Sequence, residues 1–182
     1  MPRLFIAINL PKEIKSEISK IIKETPTPLW FRWLPEWHIT ITFLGDQEDY
    51  SIQDIETAMQ KTCEGMHAGE LSVEFKEVCY GPPGRTPRMA WLTTTDETSR
   101  KIALFKRRLE DNLEKSGIDW ERESRPFHGH VTLARFESTT HAHLPPIEQK
   151  FTTSFTVPSI DLIKSKLERT GAIYTRITAV AC

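Results

Sequence analysis

The sequence contains little cysteine and no long apolar run. Three cysteines stand among 182 residues (Cys63, Cys79 and Cys182), and no CxxC pair is present. An odd count without CxxC argues against a disulfide framework and against a zinc knuckle, and it fits a reducing compartment. No run of 18 apolar residues occurs, and the apolar start MPRLFIAINLP is short and lacks a small-residue cleavage site. We therefore expect a cytoplasmic protein without a signal peptide or a membrane partner.

An excess of charge of one sign is also missing. Lysine and arginine number 24 and aspartate and glutamate 25, for a net charge of −1. Any contact with nucleic acid must therefore come from the local placement of basic side chains, because the bulk charge supplies no attraction. The length and the 38% hydrophobic content predict one domain, residues 1–182, that buries a core and divides into two lobes. We expect it to be a monomer.

Apolar periodicity predicts helices and strands in a similar order in both halves of the chain. Helices are expected after Pro11, after a cap at Asp49 or Ser51, and over 96–116 with Gly117 as the C-terminal cap. Strands are expected over 3–10, 29–34, 38–44, 71–80, 89–94, 130–136, 154–167 and 172–180. The recurrence suggests duplication of an α+β unit.

Two short segments share the pattern His, aliphatic, Thr, aliphatic. They are HITIT, with His38 and Thr40, and HVTLA, with His130 and Thr132. On a strand, residues i and i+2 point to the same face, so each segment sets an imidazole beside a hydroxyl, with its aliphatic residues facing a core. Two such strands facing each other across a cleft would form a symmetric site.

Such a site suits phosphodiester hydrolysis without a metal ion. One histidine takes a proton from water while the other protonates the leaving oxygen. The two hydroxyls donate hydrogen bonds to the non-bridging oxygens as charge redistributes around phosphorus. One HxT segment alone is more often an ordinary half-exposed strand, whereas two copies are far more specific.

A metal site built from His128, His130, His141 and His143 is the competing interpretation. It lacks cysteines or carboxylates at ligand spacing, and His141 and His143 stand in the proline-containing segment HAHLPPIEQ, where solvated histidine is the ordinary case. His67, in EGMHAGE, is expected in a surface loop. We predict no metal and no cofactor.

The two HxTx copies resemble those of the 2H phosphoesterase superfamily. The flanking segments RLFIAINLP, HITITFLG, RPFHGHVTLARF and LIKSKLERTGAIYTRI resemble the RNA 2′,3′-cyclic phosphodiesterases, also called 2′-5′ RNA ligases. The resemblance runs in order from Arg3 to Ile177. Gly129 is a departure, because the family often has proline before the second histidine. This difference changes backbone stiffness and not chemistry.

The resemblance implies a bilobal α+β fold with two pseudo-symmetric lobes, antiparallel sheets lining a central cleft and helices outside. It implies hydrolysis of an RNA-terminal 2′,3′-cyclic phosphate to a 2′-phosphomonoester. His38 would be the proton donor to the 3′ oxygen, and His130 the proton acceptor that activates water. The partners implied are RNA ends or nucleotides that carry a 2′,3′-cyclic phosphate.

Three further residues are candidates for substrate binding. The family uses an aromatic residue and an arginine near the positions of Phe43 and Arg135, where a ring stacks on a base and a guanidinium forks onto phosphate. Strict alternation puts both on the core side, so Phe43 is expected in the core, and Arg135 must lie past a bulge or a strand end, or pair internally. His128 is expected to support the turn or to line the cleft entrance.

An aromatic and basic cluster precedes the first motif. It comprises Trp30, Arg32, Trp33 and Trp37, and it could stack bases, although tryptophan on strands usually belongs to the core.

Two other functions are compatible with the sequence. One is a 2H phosphoesterase that acts on a small cyclic nucleotide or on ADP-ribose cyclic phosphate, and another is a protein that binds RNA ends without turnover. The chain has no long insertion, and both histidines and both threonines are present. No nucleotide-triphosphate loop is found to drive the reverse ligation, so hydrolysis should dominate.

Overall fold

The computed structural model describes residues 1–25, 31–66, 70–136, 144, 146–147, 149–168 and 171–182. Within these residues the chain forms an α+β fold of three helices and ten strands. The helices are α1 (Lys12–Glu24), α2 (Ile52–Cys63) and α3 (Asp96–Lys115). The strands are β1 (Arg3–Asn9), β2 (Arg32–Trp33), β3 (His38–Asp46), β4 (Ser72–Gly81), β5 (Met89–Thr94), β6 (His130–Arg135), β7 (Gln149–Lys150), β8 (Ser154–Thr156), β9 (Ser159–Glu168) and β10 (Gly171–Ala181).

The helices begin and end where local chemistry favours it. Helix α3 is capped by Thr95, whose side chain accepts a hydrogen bond from the Thr98 N–H. It is followed by Gly117, which adopts a left-handed φ of 75°, as expected for a glycine after a helix. Helix α2 follows a short 3-10 turn at Asp49–Ser51, and no side-chain cap bond forms there. Ser51 therefore stands at the expected N-cap position of α2, but its side chain does not cap the helix.

One antiparallel sheet carries both halves of the chain. Its strand order is β10-β9-β1-β3-β6-β5-β4-β7, with β2 beside β6 and β8 beside β4. The two predicted sheets are thus joined, and the junction is the pairing of β3 with β6, the two strands that carry the HxT segments. The α+β class and the two repeated halves are confirmed.

The main core lies on the sheet face opposite the two histidines. It buries Leu4, Ile6 and Ile8 of β1 and the inward residues of all three helices. A second, smaller cluster lies on the histidine-bearing face, which we call the site face, and consists of Phe5, Ala7 and Ile163 with Tyr174 packed against them. The helices therefore stabilise the back of the sheet and leave the site face open.

Several predicted elements need correction. The strand expected over 29–34 is only Arg32–Trp33 in the described part of the chain. The strand expected over 154–167 is interrupted at Val157 and Pro158 and forms β8 and β9, because proline cannot donate to a ladder.

The argument against disulfides from the cysteine count is wrong for two of the three cysteines. Cys63 and Cys182 form a disulfide, with a Cα–Cα distance of 4.8 Å across 119 residues of sequence. Cys63 ends α2, which packs on β10, the strand that leads to Cys182. The fold therefore brings together two cysteines that no motif connects.

Among the described residues, no helix is both long enough and apolar enough to span a membrane.

Candidate active site

The two HxT segments lie side by side at the centre of the sheet. Ile39 of β3 pairs with Val131 of β6 in an antiparallel ladder, and both are fully buried. This register sets His38 opposite Thr132 and Thr40 opposite His130, and all four of these residues are half-buried. The structure thus assembles two imidazoles and two hydroxyls on one face of the sheet.

The two threonine hydroxyls are available to a ligand. Within the part of the chain that the structure describes, Thr40 Oγ1 and Thr132 Oγ1 have no hydrogen-bond partner, and neither atom is fully buried. Thr42, on the same strand, differs. Its hydroxyl donates to Glu110 Oε1 at 3.0 Å and accepts from Lys106 Nζ at 3.3 Å, behind the sheet. On β3, the Thr42 hydroxyl therefore has a structural role, whereas the Thr40 hydroxyl is free to bind a ligand.

A β-bulge in the first motif strand brings Phe43 to the site face. The β1–β3 ladder passes from Thr40 to Thr42 with Ile41 unpaired, so Ile41 and Thr42 are both buried and alternation reverses. Phe43 is 61% exposed and its ring lies on the same side as His38. The prediction of Phe43 as a core residue is wrong, because strict alternation does not survive an inserted residue.

The second motif strand contains a β-bulge at the corresponding position. The β5–β6 ladder passes from Thr132 to Ala134 without pairing Leu133, and Leu133 and Ala134 are both buried. Arg135 consequently returns to the site face and is exposed. The interpretation of Arg135 as a residue past a bulge is confirmed, and it occupies the position in its repeat that Phe43 occupies in the other.

An aromatic ring supports each imidazole. The Phe5 ring lies 5.0 Å from that of His38, and Tyr174 meets His38 edge-on at 5.2 Å. Trp91 stacks on His130 at 3.8 Å between ring centroids. These supports were missed at the sequence level, because identifying them requires the register of β1 and β5 against the motif strands.

The backbone of His128 orients the catalytic candidate His130. His130 Nδ1 lies 2.7 Å from the His128 carbonyl oxygen. Since a carbonyl can only accept, Nδ1 carries the proton and Nε2 is left as the acceptor. The His128 side chain is exposed and precedes β6, so His128 contributes its main chain to the site.

The presence of glycine at position 129 is explained by its contacts in this chain. Its N–H donates to Ser99 Oγ at 3.1 Å, a bond that proline could not make. A Cβ at this position would overlap Thr94 Oγ1. Glycine at position 129, where the family often has proline, therefore fits the packing of β5 and α3 against the residue that precedes β6.

The electrostatic environment favours the neutral form of both histidines. Burial, followed by the positive charge of Lys15 and then by those of His130 and Arg135, lowers the pKa of His38 to about 4. Burial also lowers the pKa of His130, while its hydrogen bond to the His128 carbonyl acts in the opposite direction. Both imidazoles are therefore neutral near pH 7.

Lys15 is a further site residue that the sequence patterns did not reveal. Its ammonium group donates to Asn9 Oδ1 at 2.8 Å, and Asn9 stands directly opposite His38 in the β1–β3 ladder. Directly opposed side chains share a face, so this contact fixes a positive charge beside His38.

We expect Lys15→Met to raise the pKa of His38. A neighbouring cation disfavours the imidazolium, so its removal moves the pKa up from about 4 toward the ordinary 6.5, and burial, the largest cause, keeps it below that value. NMR titration of the His38 ring protons measures the shift. Lys20→Met, at an exposed position of the same helix, is the matched control. Equal titration curves for wild type and Lys15→Met would refute the assigned role.

Other residues considered from the sequence lie outside this cluster. Trp33 and Trp37 are partly buried and pack against the main core, whereas Arg32 is exposed. Trp30, His67, His141 and His143 lie outside the described residues. Among the described residues, no three side chains of His, Cys, Asp or Glu group closely enough to hold a metal ion.

The chain is similar to known proteins over nearly its whole length. The sequence model described as LigT like Phosphoesterase matches residues 8–91 and again 92–174. An RNA 2′,3′-cyclic phosphodiesterase of Thermotoga maritima is 26% identical over 94% of this chain and 91% of its own, and one of Bacillus subtilis is 26% identical over 79% and 78%.

Solved structures share the fold. A Thermus thermophilus protein superposes with a TM-score of 0.79 at 21% identity, covering 98% of this chain and 97% of its own. Escherichia coli LigT in its apo form gives a TM-score of 0.74 at 24% identity, covering 99% and 96%. With its two matched halves and an HxT segment in each, the chain belongs to the LigT-like phosphoesterase family of the 2H superfamily.

Proposed function

We propose that the protein hydrolyses the 2′,3′-cyclic phosphodiester at the end of an RNA chain to a 2′-phosphomonoester, by acid–base catalysis with two histidines. The observation that carries this proposal is the antiparallel pairing of Ile39 with Val131, which puts both HxT segments on one face. Weak 2′-5′ ligation would be the reverse of the same reaction.

His130 is the base in this mechanism. Its Nε2, left unprotonated by the hydrogen bond from Nδ1 to the His128 carbonyl, takes a proton from water as the water oxygen bonds to phosphorus. The bond between phosphorus and the 3′ oxygen then breaks. His38 gives its proton to that oxygen, and solvent returns the two histidines to their starting states.

The acid role of His38 requires substrate binding to change its protonation. Its pKa of about 4 is too low for an imidazolium at neutral pH. A bound phosphodiester adds a negative charge beside the ring and favours the protonated form. The bound substrate thus raises the pKa of His38 and supplies the protonated imidazole that cleavage requires, while neutral imidazoles avoid repulsion between two neighbouring cations before substrate binds.

The threonines and the aromatic rings complete the proposed site. Thr40 and Thr132 are placed opposite the two histidines, with hydroxyls free to donate to the non-bridging oxygens. Phe43, exposed past its bulge, offers a ring on which a base can stack. Arg135, at the equivalent position of the other repeat, offers a guanidinium to phosphate.

Related proteins support this choice of substrate. Three relatives named RNA 2′,3′-cyclic phosphodiesterase are 25–26% identical to this chain, and Escherichia coli LigT has been solved with 3′-AMP. A nucleotide carrying phosphate on its ribose is the kind of ligand that the proposed site would hold.

Product analysis tests the proposal directly. A defined oligoribonucleotide ending in a 2′,3′-cyclic phosphate is incubated with the protein, and the isomeric phosphomonoesters are separated by chromatography. We expect the 2′-phosphate, because protonation of the 3′ oxygen by His38 makes it the leaving group. Formation of the 3′-phosphate would overturn the assignment of the leaving oxygen, and absence of hydrolysis would overturn the proposed activity.

We expect hydrolysis to survive EDTA at millimolar concentration with a rate within about twofold of the untreated protein. The two imidazoles supply the acid and the base, and the two hydroxyls supply the donors to the phosphate. Initial rates with EDTA, and then with added Mg²⁺, Mn²⁺ or Zn²⁺, make the measurement. Loss of activity with chelator and recovery with one divalent ion would contradict the two-histidine mechanism.

A further inference from the structure

We propose that Arg88 and Arg135 form a binding site for the backbone phosphate that precedes the terminal nucleotide of an RNA substrate, and that Arg32 extends the positive charge of this site. This proposal rests on the proposed function and extends it from a single nucleotide to an RNA chain. We call these three residues the arginine cluster.

The fold brings the arginine cluster together at the ends of three neighbouring strands. Arg135 ends β6, and the ladder places it opposite Arg32 of β2 on one side and Met89 of β5 on the other. Arg88 directly precedes Met89. Since adjacent strands lie about 4.8 Å apart, the main chains of Arg32 and Met89 are roughly 10 Å apart with Arg135 between them, although the three residues are far apart in sequence.

A cavity is present where two of these arginines meet. It has a volume of about 340 Å³ and is lined by Arg88, Met89, Arg135 and Phe136. The Phe136 ring is held in place by stacking on Phe31 at 5.0 Å. The two arginine side chains and the apolar Phe136 ring thus line a concave site that suits a phosphate with its sugar.

The arginine cluster is not neutralised by the protein. In the described part of the chain, none of its three members forms an ion pair, whereas Arg122 pairs with Asp111 and Glu114. All three members are exposed, and the positive charges of Arg88 and Arg135, which line the same cavity, repel one another. An anionic ligand would relieve that repulsion, and in a chain of net charge −1 such a local patch is what RNA attraction requires.

The arginine cluster is continuous with the two-histidine site. Arg135 is three residues from Thr132, and its charge is among the causes that lower the pKa of His38. Arg32 extends the cluster toward the other half of the sheet, since a Cβ at Gly171 of β10 would lie 3.1 Å from its guanidinium nitrogen. A chain whose cyclic end lies between the histidines can therefore continue across these arginines.

Two substrates that differ only upstream of the reacting group provide the test. Adenosine 2′,3′-cyclic phosphate has no preceding phosphate, whereas a short oligoadenylate with the same cyclic end has several. We expect Arg88→Gln to raise KM for the oligonucleotide about three- to tenfold, the scale of one exposed charge contact. Its KM for the mononucleotide should stay within about twofold of wild type.

Salt dependence gives a second readout. Each phosphate contact on a single strand contributes about 0.7 to the slope of log affinity against log salt concentration. Arg88→Gln should reduce the salt slope of the oligonucleotide KM by about this amount. Arg88→Lys should restore the slope, because lysine keeps the positive charge, although it lacks the planar guanidinium that binds phosphate in a bidentate manner. Arg32→Gln should behave as Arg88→Gln does.

The matched control is Arg107→Gln, an exposed arginine of α3 on the opposite side of the sheet, and it should change neither KM nor slope. An unchanged oligonucleotide KM in Arg88→Gln, or equal losses on both substrates, would overturn the phosphate site. If wild-type protein hydrolyses neither substrate, the proposed function itself is wrong. Hydrolysis of both with no effect at Arg88 rejects only the arginine cluster.

Discussion

Replacing either motif histidine, in His38→Ala or His130→Ala, is expected to lower kcat/KM for the cyclic phosphate by about a hundredfold or more. A positioned acid or base typically contributes a factor of this size. Each variant removes one of the two proton transfers and leaves the strand pairing, centred on buried Ile39 and Val131, intact. Initial rates with the cyclic-phosphate oligonucleotide provide the measurement.

The pH profile distinguishes the two histidines. Activity falls at low pH as His130 gains a proton and at high pH as His38 loses one. His130→Ala should therefore lose the acidic limb and His38→Ala the basic limb. Because both pKa values are lowered, the optimum of kcat/KM should lie below pH 6.5, and substrate charge should move the basic limb of kcat to higher pH.

His128→Ala is the matched control for His130→Ala. The alanine variant keeps the carbonyl that accepts from His130 Nδ1 and removes only an exposed imidazole. We expect it to cost much less than His130→Ala. The double variant His38→Ala/His130→Ala should be far less than multiplicatively worse than either single variant, because acid and base act as a unit. A folded His128→Ala as damaged as His130→Ala would show that the wrong histidine had been chosen.

Much of the candidate site follows from a period-2 pattern that repeats. His38 with Thr40, and His130 with Thr132, share a face because residues i and i+2 do so on any strand. That local rule required no knowledge of the partner strand. The repeat of the pattern then suggested that the two segments form one site, facing each other across a cleft. They instead pair side by side in one sheet, at Ile39 and Val131.

The rest of the site depends on contacts between distant residues. Phe43 is exposed because β3 contains a bulge, and buried Thr42 after that bulge is held by Glu110 and Lys106 of α3. Lys15 belongs to the site only because Asn9 stands opposite His38. Neither relation is a property of a sequence window, so alternation alone put Phe43 on the wrong face.

The cysteines illustrate the same limit. Cys63 and Cys182 are separated by 119 residues, and their pairing follows from the packing of α2 against β10. The count of three cysteines contained no information about that packing.

The threonine hydroxyls are expected to matter nearly as much as the imidazoles. Thr40→Val and Thr132→Val keep the shape and the strand preference of the side chain while deleting a donor. Loss of one donor to a developing charge typically costs about 3 kcal/mol of barrier, on the order of a hundredfold in rate. The loss should appear mainly in kcat, measured at saturating oligonucleotide, because the hydrogen bonds strengthen as charge redistributes around phosphorus.

Thr42→Val is the control that separates catalysis from folding. Thr42 lies on the same strand as Thr40, but its hydroxyl faces the buried pair of Lys106 and Glu110. Its deletion should lower the free energy of unfolding by about 1–3 kcal/mol, the cost of leaving buried polar groups unsatisfied, and keep the rate of the folded protein within a few-fold of wild type. Thr40→Val should show the reverse, with normal thermal unfolding and a low kcat. If both motif variants turn over at the wild-type rate, their hydroxyls do not contact the reacting phosphate, and the symmetric site reduces to its two histidines.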